Sequence, residues 1–163
     1  MKLKQILRTS AAAALFVWAG VANAALYNFS LTGDYTASWQ LDSAPSPDQV
    51  YNNAFTLWDI DGDFPDAVLG VVDLTFFKAS SGGGLEIYDF YGDQELLLSD
   101  GSQLYTGSEA TPTFKLGTFA LTEYQGSGQY SLTISAVPEP ATYGMLLGGL
   151  GLIGVALRRR RQA

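Results

Sequence analysis

Residues 27–41 have the sequence YNFSLTGDYTASWQL, and this stretch decides the fold class. On both sides of Gly33-Asp34, apolar side chains alternate with polar ones at every second position. Successive side chains of a β-strand point to opposite faces, so the alternation predicts two strands that each bury one face. Gly-Asp between the two runs is typical of a tight turn. The stretch therefore predicts an antiparallel β-hairpin.

Alternating runs of the same kind continue through the middle of the chain, and no stretch there combines a 3.6-residue apolar period with helix caps. Further strands are predicted at residues 54–58, 68–77, 85–90, 95–99, 113–121 and 129–135. Gly117, inside the fifth of these runs, is a predicted bulge. Roughly eight short strands in one domain-sized segment are typical of a β-sandwich or jelly roll. We therefore expect an all-β fold, with a small sandwich or jelly-roll body at residues 25–137.

The chain of 163 residues contains no Cys and no His, which excludes disulfide bonds, thiolate or imidazole metal sites, and catalysis by Cys or His. The net charge is −7, but the basic residues lie mostly at the two ends of the chain. The body at residues 25–137 holds 15 acidic residues against only Lys78 and Lys115, a net charge of −13. Such a charge repels phosphate backbones, so we expect no nucleic-acid partner. It either attracts cations and basic surfaces or keeps an exported protein soluble.

The N-terminus has the three parts of a secretory signal peptide. Three basic residues within the first eight positions precede an apolar run at residues 11–21, and Ala22-Asn23-Ala24 supplies the small residues that a signal peptidase recognises. The run is too short for the alternative, a membrane anchor, which needs about 17 to 25 apolar residues. We therefore predict a signal helix in residues 1–24, cleaved by signal peptidase between Ala24 and Ala25.

A second apolar segment lies close to the C-terminus. Residues 141–157 are uncharged and mostly apolar, and the cluster Arg158, Arg159, Arg160 and Arg161 follows them directly. A helix of this length spans roughly 25 Å, slightly less than a bilayer core, and the long arginine side chains can cover the difference. By the positive-inside rule, the arginines anchor the C-terminal end in the cytoplasm. The segment therefore predicts a transmembrane helix that places residues 25–140 outside.

The C-terminal tail, residues 138–163, combines three features in a fixed order. Pro138-Glu139-Pro140 comes first, a Gly- and Leu-rich span follows, and the arginine cluster comes third. This combination resembles the PEP-CTERM sorting signal of Gram-negative bacteria, a tail also called the ice-binding protein C-terminal domain. The body has no regular Thr-x-Thr ladder, so that second name does not indicate an ice-binding activity.

The resemblance implies recognition by an exosortase, a membrane-embedded cysteine transpeptidase. Cleavage near Pro138-Glu139-Pro140 would follow a transient stay in the inner membrane, and the body would then be released or transferred to the cell surface. The alternative is a permanent single-pass anchor, because membrane physics alone predicts the same transmembrane segment.

Carboxylates two residues apart form the sharpest polar cluster of the body. They are Asp59, Asp61, Asp63 and Asp66. Calcium takes six to eight oxygen ligands, and an exported protein meets calcium outside the cell. The cluster departs from the EF-hand pattern, which needs Gly where Phe64 stands and an acidic residue where Gly70 stands. The two interpretations are therefore a calcium site and a solvated acidic loop between two strands.

Aromatic residues are frequent in the body, and they include Trp39, Trp58 and the pair Phe90-Tyr91. Such residues either fill the core or form a stacking platform for polysaccharide. No nucleophile and base stand out, and no spacing singles out a carboxylate pair for glycoside hydrolysis, so we expect no enzyme. The sequence predicts an exported, non-enzymatic protein of the cell surface or of the extracellular matrix of a biofilm. The alternative is a calcium- or carbohydrate-binding module, with exopolysaccharide as a partner, exported by the same route.

Overall fold

A computed structural model describes residues 25–138, and apart from one 3-10 turn at Ala79–Ser81 all regular structure in this range is β-strand. The strands are β1 (Leu26–Gly33), β2 (Ala37–Asp42), β3 (Gln49–Val50), β4 (Ala54–Asp63), β5 (Val71–Phe77), β6 (Leu85–Asp89), β7 (Gln94–Gly101), β8 (Tyr105–Ser108), β9 (Thr111–Phe114), β10 (Gly117–Glu123) and β11 (Gln129–Ala136). The all-β prediction is confirmed for the described residues.

The predicted signal helix and transmembrane helix both lie outside residues 25–138. Between Ala25 and Pro138, the structure contains no helix that is long and apolar enough to span a bilayer.

The predicted hairpin at residues 27–41 is present as β1 and β2. The two strands pair antiparallel, with Phe29 opposite Trp39 and Leu31 opposite Ala37. These four side chains are buried, whereas Ser30 between them is exposed. The period-2 pattern therefore gave both the strands and the face that packs on the core.

Eight antiparallel strands form a closed ring in the order β2-β1-β11-β10-β7-β6-β5-β4, and β2 pairs with β4 to close it. Each strand lies next to the strand that follows it in this set, so the arrangement is an up-and-down barrel. The closing contact is short, with Ser38 opposite Asp63 and Trp39 opposite Gly62. Strand β3 flanks the first half of β4, and β8 and β9 form a separate hairpin.

This closed barrel differs from the expected sandwich or jelly roll, in which two sheets keep free edges. The difference arises because β4 and β7 each pair with one strand near their start and with another strand near their end. Strand β7 pairs with β6 up to Leu98 and with β10 from Ser99 onward. Strand β4 pairs with β3 near its start and with β2 near its end, on either side of an irregularity between Leu57 and Ile60. Strands that pass from one sheet to another in this way form the corners between two packed sheets.

Aromatic rings fill the interior of the barrel. Phe29 stacks on Trp39 at 5.3 Å between ring centroids and meets the edge of Phe114 at 4.9 Å. Tyr105 packs edge-on against Phe55 at 4.9 Å. Since Tyr105 and Phe114 come from the β8–β9 hairpin, that hairpin contributes to the core instead of standing apart from it. The predicted strand at 113–121 is divided here, because β9 ends at Phe114 and β10 begins at Gly117 in another sheet.

The chain enters and leaves the barrel side by side. Strand β1 pairs antiparallel with β11, so Tyr27 lies opposite Ala136, and the Val137 N–H donates to the Leu26 carbonyl at 2.9 Å. We call this the terminal end of the barrel. In an up-and-down ring the connections alternate between ends, so the β1–β2, β4–β5, β6–β7 and β10–β11 connections lie at the opposite, distal end.

Closure of the ring depends on the missing side chain at Gly62. A Cβ there would lie 2.7 Å from the Ser38 carbonyl oxygen and 3.0 Å from the Trp39 Cβ. We expect Gly62→Ala to lower the free energy of unfolding by about 1 to 3 kcal/mol, the usual cost of overpacking. Chemical denaturation followed by tryptophan fluorescence measures it, since Trp39 is buried. Ser30→Ala, an exposed change on β1, is the control and should stay within about 0.5 kcal/mol. Equal midpoints for both variants would contradict the β2–β4 contact.

Candidate functional site

A cleft of about 360 Å³ lies on the outer surface, lined by Trp58, Asp59, Asp73, Phe90 and Tyr91. We call it the aromatic–acidic cleft. Its three aromatic side chains are all exposed: Trp58 by 49%, Phe90 by 66% and Tyr91 by 53%. Most aromatic residues of the body are instead in the core or packed against it. An exposed group of large apolar side chains beside charged ones is typical of a binding surface.

Trp58 and Asp59 reach the surface because β4 changes its register at this point. The pairing with β5 shifts between Leu57 and Ile60, and Asp59 has a φ of 53°, in the left-handed region that aspartate tolerates better than most residues. Trp58 and Asp59 are therefore both exposed, although they are consecutive.

Carboxylates bind both backbone N–H groups of this irregularity. The Trp58 N–H donates to Asp48 Oδ2 at 2.9 Å, and the Asp59 N–H donates to Asp73 Oδ1 at 3.1 Å. Since hydrogen bonds to ionised groups are the stronger kind, they fix the conformation that exposes Trp58.

A buried carboxylate holds Phe90 and Tyr91 in place. Asp89 is fully buried and accepts hydrogen bonds from the backbone N–H groups of Val68 at 2.8 Å, Gly92 at 3.0 Å and Tyr91 at 3.1 Å. It thereby joins the β4–β5 loop to the β6–β7 turn, both at the distal end. The Val68 N–H, followed by those of Gly92 and Tyr91, lowers the pKa of Asp89 because all three stabilise its charged form.

Negative charge is concentrated in the cleft. The Tyr91 hydroxyl donates to Asp59 Oδ1 at 3.2 Å, and the charge of Asp59 raises the pKa of Tyr91. Burial raises the pKa of Asp73, and the neighbouring charges of Asp59 and Asp48 add to the effect.

The lysines of the described residues lie elsewhere. Lys78 pairs with Glu109 at 3.2 Å, and the Lys115 ammonium lies 5.7 Å from the centre of the Phe119 ring. Among residues 25–138, no cationic side chain therefore balances the carboxylates of the cleft.

The prediction that the acidic cluster lies in a loop is wrong for three of its four carboxylates, because they lie on strand β4. Asp59 lines the aromatic–acidic cleft, whereas Asp61 lines another surface cleft with Trp39. Asp63 ends β4 opposite Ser38, and Asp66 lies in the β4–β5 loop. No group of three or more acidic side chains that could hold a metal ion occurs in the described part of the chain. Calcium binding by these four residues stays a prediction.

The aromatic candidates divide between core and surface. Trp39 is core, 3% exposed and packed between Phe29 and Phe64, and its indole N–H has no hydrogen-bond partner within residues 25–138. Trp58, Phe90 and Tyr91 form the surface group. Asp73 and Asp89 were not predicted from the sequence as site residues. Asp73 lines the aromatic–acidic cleft, and Asp89 holds Phe90 and Tyr91 in position. One signal was present for Asp73, a lone charge within the apolar run VVDLTFF of β5.

The tail begins where the barrel ends. Strand β11 ends at Ala136, and only Val137 separates it from Pro138. Ala25 lies close to this point, since it directly precedes Leu26, whose carbonyl accepts from the Val137 N–H at 2.9 Å. Ala24, Glu139, Pro140 and the arginine cluster at 158–161 lie outside the described residues, so their predicted roles stay predictions.

Comparison with protein families matches residues 136–161 to the PEP-CTERM protein-sorting motif. The chain carries a PEP-CTERM sorting signal. The match begins at the last residue of β11 and covers the predicted motif, apolar span and arginine cluster. The PEP-CTERM signal is one that directs export and passage through the membrane for sorting by an exosortase. The chain matches no curated protein and no solved structure.

Asp89 should make the stability of the barrel sensitive to acid. Its folded-state pKa is lowered from an ordinary value of about 3.9, so its stabilisation is present above that pH and is lost as pH falls below it. Asp89→Asn should therefore lower the urea midpoint at pH 7 and have a smaller effect at pH 3. Asp42→Asn, an exposed change on β2, is the control and should alter neither midpoint. An effect of Asp89→Asn that is equal at both pH values would contradict the role of its charge.

Proposed function

We propose that the protein is an exported, non-enzymatic protein of the cell surface or extracellular matrix, sorted and processed by an exosortase through its tail. One observation carries the proposal: the match to the PEP-CTERM motif begins at the last residue of the last strand of the all-β body. The predicted signal peptide at the other end agrees with it, since it adds a signal peptidase as the first partner and export as the first step.

The topology of the barrel supports cleavage on both the N-terminal and the C-terminal side of the body. Tyr27 pairs with Ala136, so the predicted signal cleavage site before Ala25 and the sorting motif at Pro138 are neighbours at the terminal end. Both cuts would fall outside the paired strands, and the barrel would keep every strand after processing. The distal end, where Phe90 and Tyr91 lie, would face away from the membrane.

The composition and the cleft support binding rather than catalysis. The chain has no Cys and no His, so it lacks a Cys nucleophile and the His side chain that most often serves as general base. The aromatic–acidic cleft offers flat apolar faces and hydrogen-bond acceptors from Asp59 and Asp73. These groups can hold a ligand without a reaction step.

A second candidate function, a carbohydrate-binding module exported by the same route, is favoured by the cleft. Sugar rings present C–H groups that pack on the negative face of an aromatic ring, and their hydroxyls donate to carboxylates. Trp58 and Tyr91 supply exposed faces beside Asp59 and Asp73. An exopolysaccharide partner outside the cell fits this chemistry. The calcium alternative has no comparable geometry among the described residues.

Mass spectrometry of the mature protein from its native host tests the sorting proposal. We expect a C-terminus near Pro138-Glu139-Pro140 and no peptide from residues 144–157. Changing all three motif residues to Ala should leave export intact and block the second cleavage, so that unprocessed protein accumulates in the inner membrane.

The control for this experiment is Gln162→Ala, which changes the tail beyond the arginines and should be processed normally. A wild-type surface protein that still contains residues 144–157 would sink the exosortase proposal in favour of a permanent anchor.

A further inference from the structure

We propose that the aromatic–acidic cleft binds a polysaccharide of amino sugars with free ammonium groups. The sugar rings pack on Trp58 and Tyr91, and an ammonium group binds between the carboxylates of Asp59 and Asp73. This inference rests on the carbohydrate-binding candidate above and names its ligand class.

The apolar part of the site is built in advance of binding. The register shift in β4 exposes Trp58, and hydrogen bonds from the Trp58 and Asp59 N–H groups to Asp48 and Asp73 hold it there. The buried carboxylate of Asp89 holds the Phe90-Tyr91 turn independently. Because both halves are fixed, little conformational entropy is lost when a ligand packs on them.

The charge of the site selects a cation. Asp73 accepts from the Asp59 N–H, and the carboxylate of Asp48 accepts from the neighbouring Trp58 N–H. An ammonium group carries three donors and no acceptor, so it complements carboxylates directly. It is also attracted to the faces of Trp and Tyr rings, the combination that recognises ammonium ligands in aromatic cages.

Other ligands of the same size satisfy only part of the site. An acidic polysaccharide meets a body of net charge −13 and no lysine at the cleft. A neutral sugar can pack on the rings but leaves the carboxylates without a counter-charge. A calcium ion needs six to eight oxygens, and three of the five lining residues are aromatic. An ammonium-bearing sugar uses both the rings and the charges.

Calorimetry of the full chain in a non-ionic polyoxyethylene detergent tests the ligand class. The probes are a glucosamine hexamer, its fully N-acetylated form, a glucose hexamer and a uronic acid hexamer. At a pH where the amine is protonated, we expect the glucosamine hexamer to bind about tenfold more tightly than the N-acetylated form. Its affinity should fall as salt rises, because the ion pairs at this open cleft are screened. The uronic acid hexamer should not bind.

Matched variants locate the site. Asp59→Asn and Asp73→Asn should each remove most of the preference for glucosamine while retaining binding of the N-acetylated form. Asp61→Asn, the same change two residues further along β4, lines another cleft and should have no effect. Trp58→Ala should weaken both sugars, whereas Tyr51→Ala, an exposed aromatic outside the cleft, should weaken neither.

The outcomes separate this inference from the function on which it rests. Equal binding of the glucosamine and N-acetylated hexamers would overturn the ammonium site and leave the carbohydrate-binding candidate standing. Binding of none of the four probes would overturn both. A preference for glucosamine that survives Asp59→Asn and Asp73→Asn would overturn the assignment to this cleft.

Discussion

Pairing between the first and the last strand is the interaction on which the rest of the structure depends. Strands β1 and β11 match from Tyr27 opposite Ala136 to Gly33 opposite Tyr130. The other edge of β1 is then free to pair with β2, and β2 reaches β4 to close the ring. Closing a sheet on itself removes the unpaired edges that would otherwise pair with other chains. An exported protein without disulfide bonds gains its order from this closure.

The same pairing brings the first and the last described residues of the chain together. Because β1 and β11 are antiparallel neighbours, Ala25 and Pro138, the described residues next to the predicted signal cleavage site and in the sorting motif, lie at one end of the barrel. The other end carries the turn of Phe90 and Tyr91, held by the buried carboxylate of Asp89. The predicted cleavage sites and the candidate binding surface are therefore separated along the length of the strands, and the proposed processing would leave the cleft intact.

Local features of the structure could be predicted from the sequence, because they depend on residues close together in the chain. The alternation around Gly33-Asp34 gave the hairpin, its buried face and the all-β class. Closure could not be predicted, since it depends on only two residue pairs between β2 and β4, Ser38 with Asp63 and Trp39 with Gly62, and no local pattern encodes that register. The segment from Asp59 to Asp63 resembles a loop because Asp and Gly are poor strand formers. Pairing with β2 and β5 overrides that preference.

The cleft likewise combines features that can be predicted from neighbouring residues with features that depend on contacts between residues far apart in the sequence. Trp58, Phe90 and Tyr91 were candidates from the sequence as aromatic residues, as was Trp39. Trp58, Phe90 and Tyr91 are exposed because of the register shift in β4 and the hydrogen bond between Asp89 and Val68, which is 21 residues away in the sequence. Exposure of an aromatic residue depends on such distant contacts, whereas its presence in a strand depends on its neighbours.

Cross-strand nuclear Overhauser effects in the full chain in detergent micelles test the closed barrel most directly. A closed barrel should give contacts between Tyr27 and Ala136 together with contacts from Ser38 to Asp63 and from Trp39 to Gly62. Contacts between β1 and β11 without any between β2 and β4 would show an open sheet and contradict the closure of the barrel.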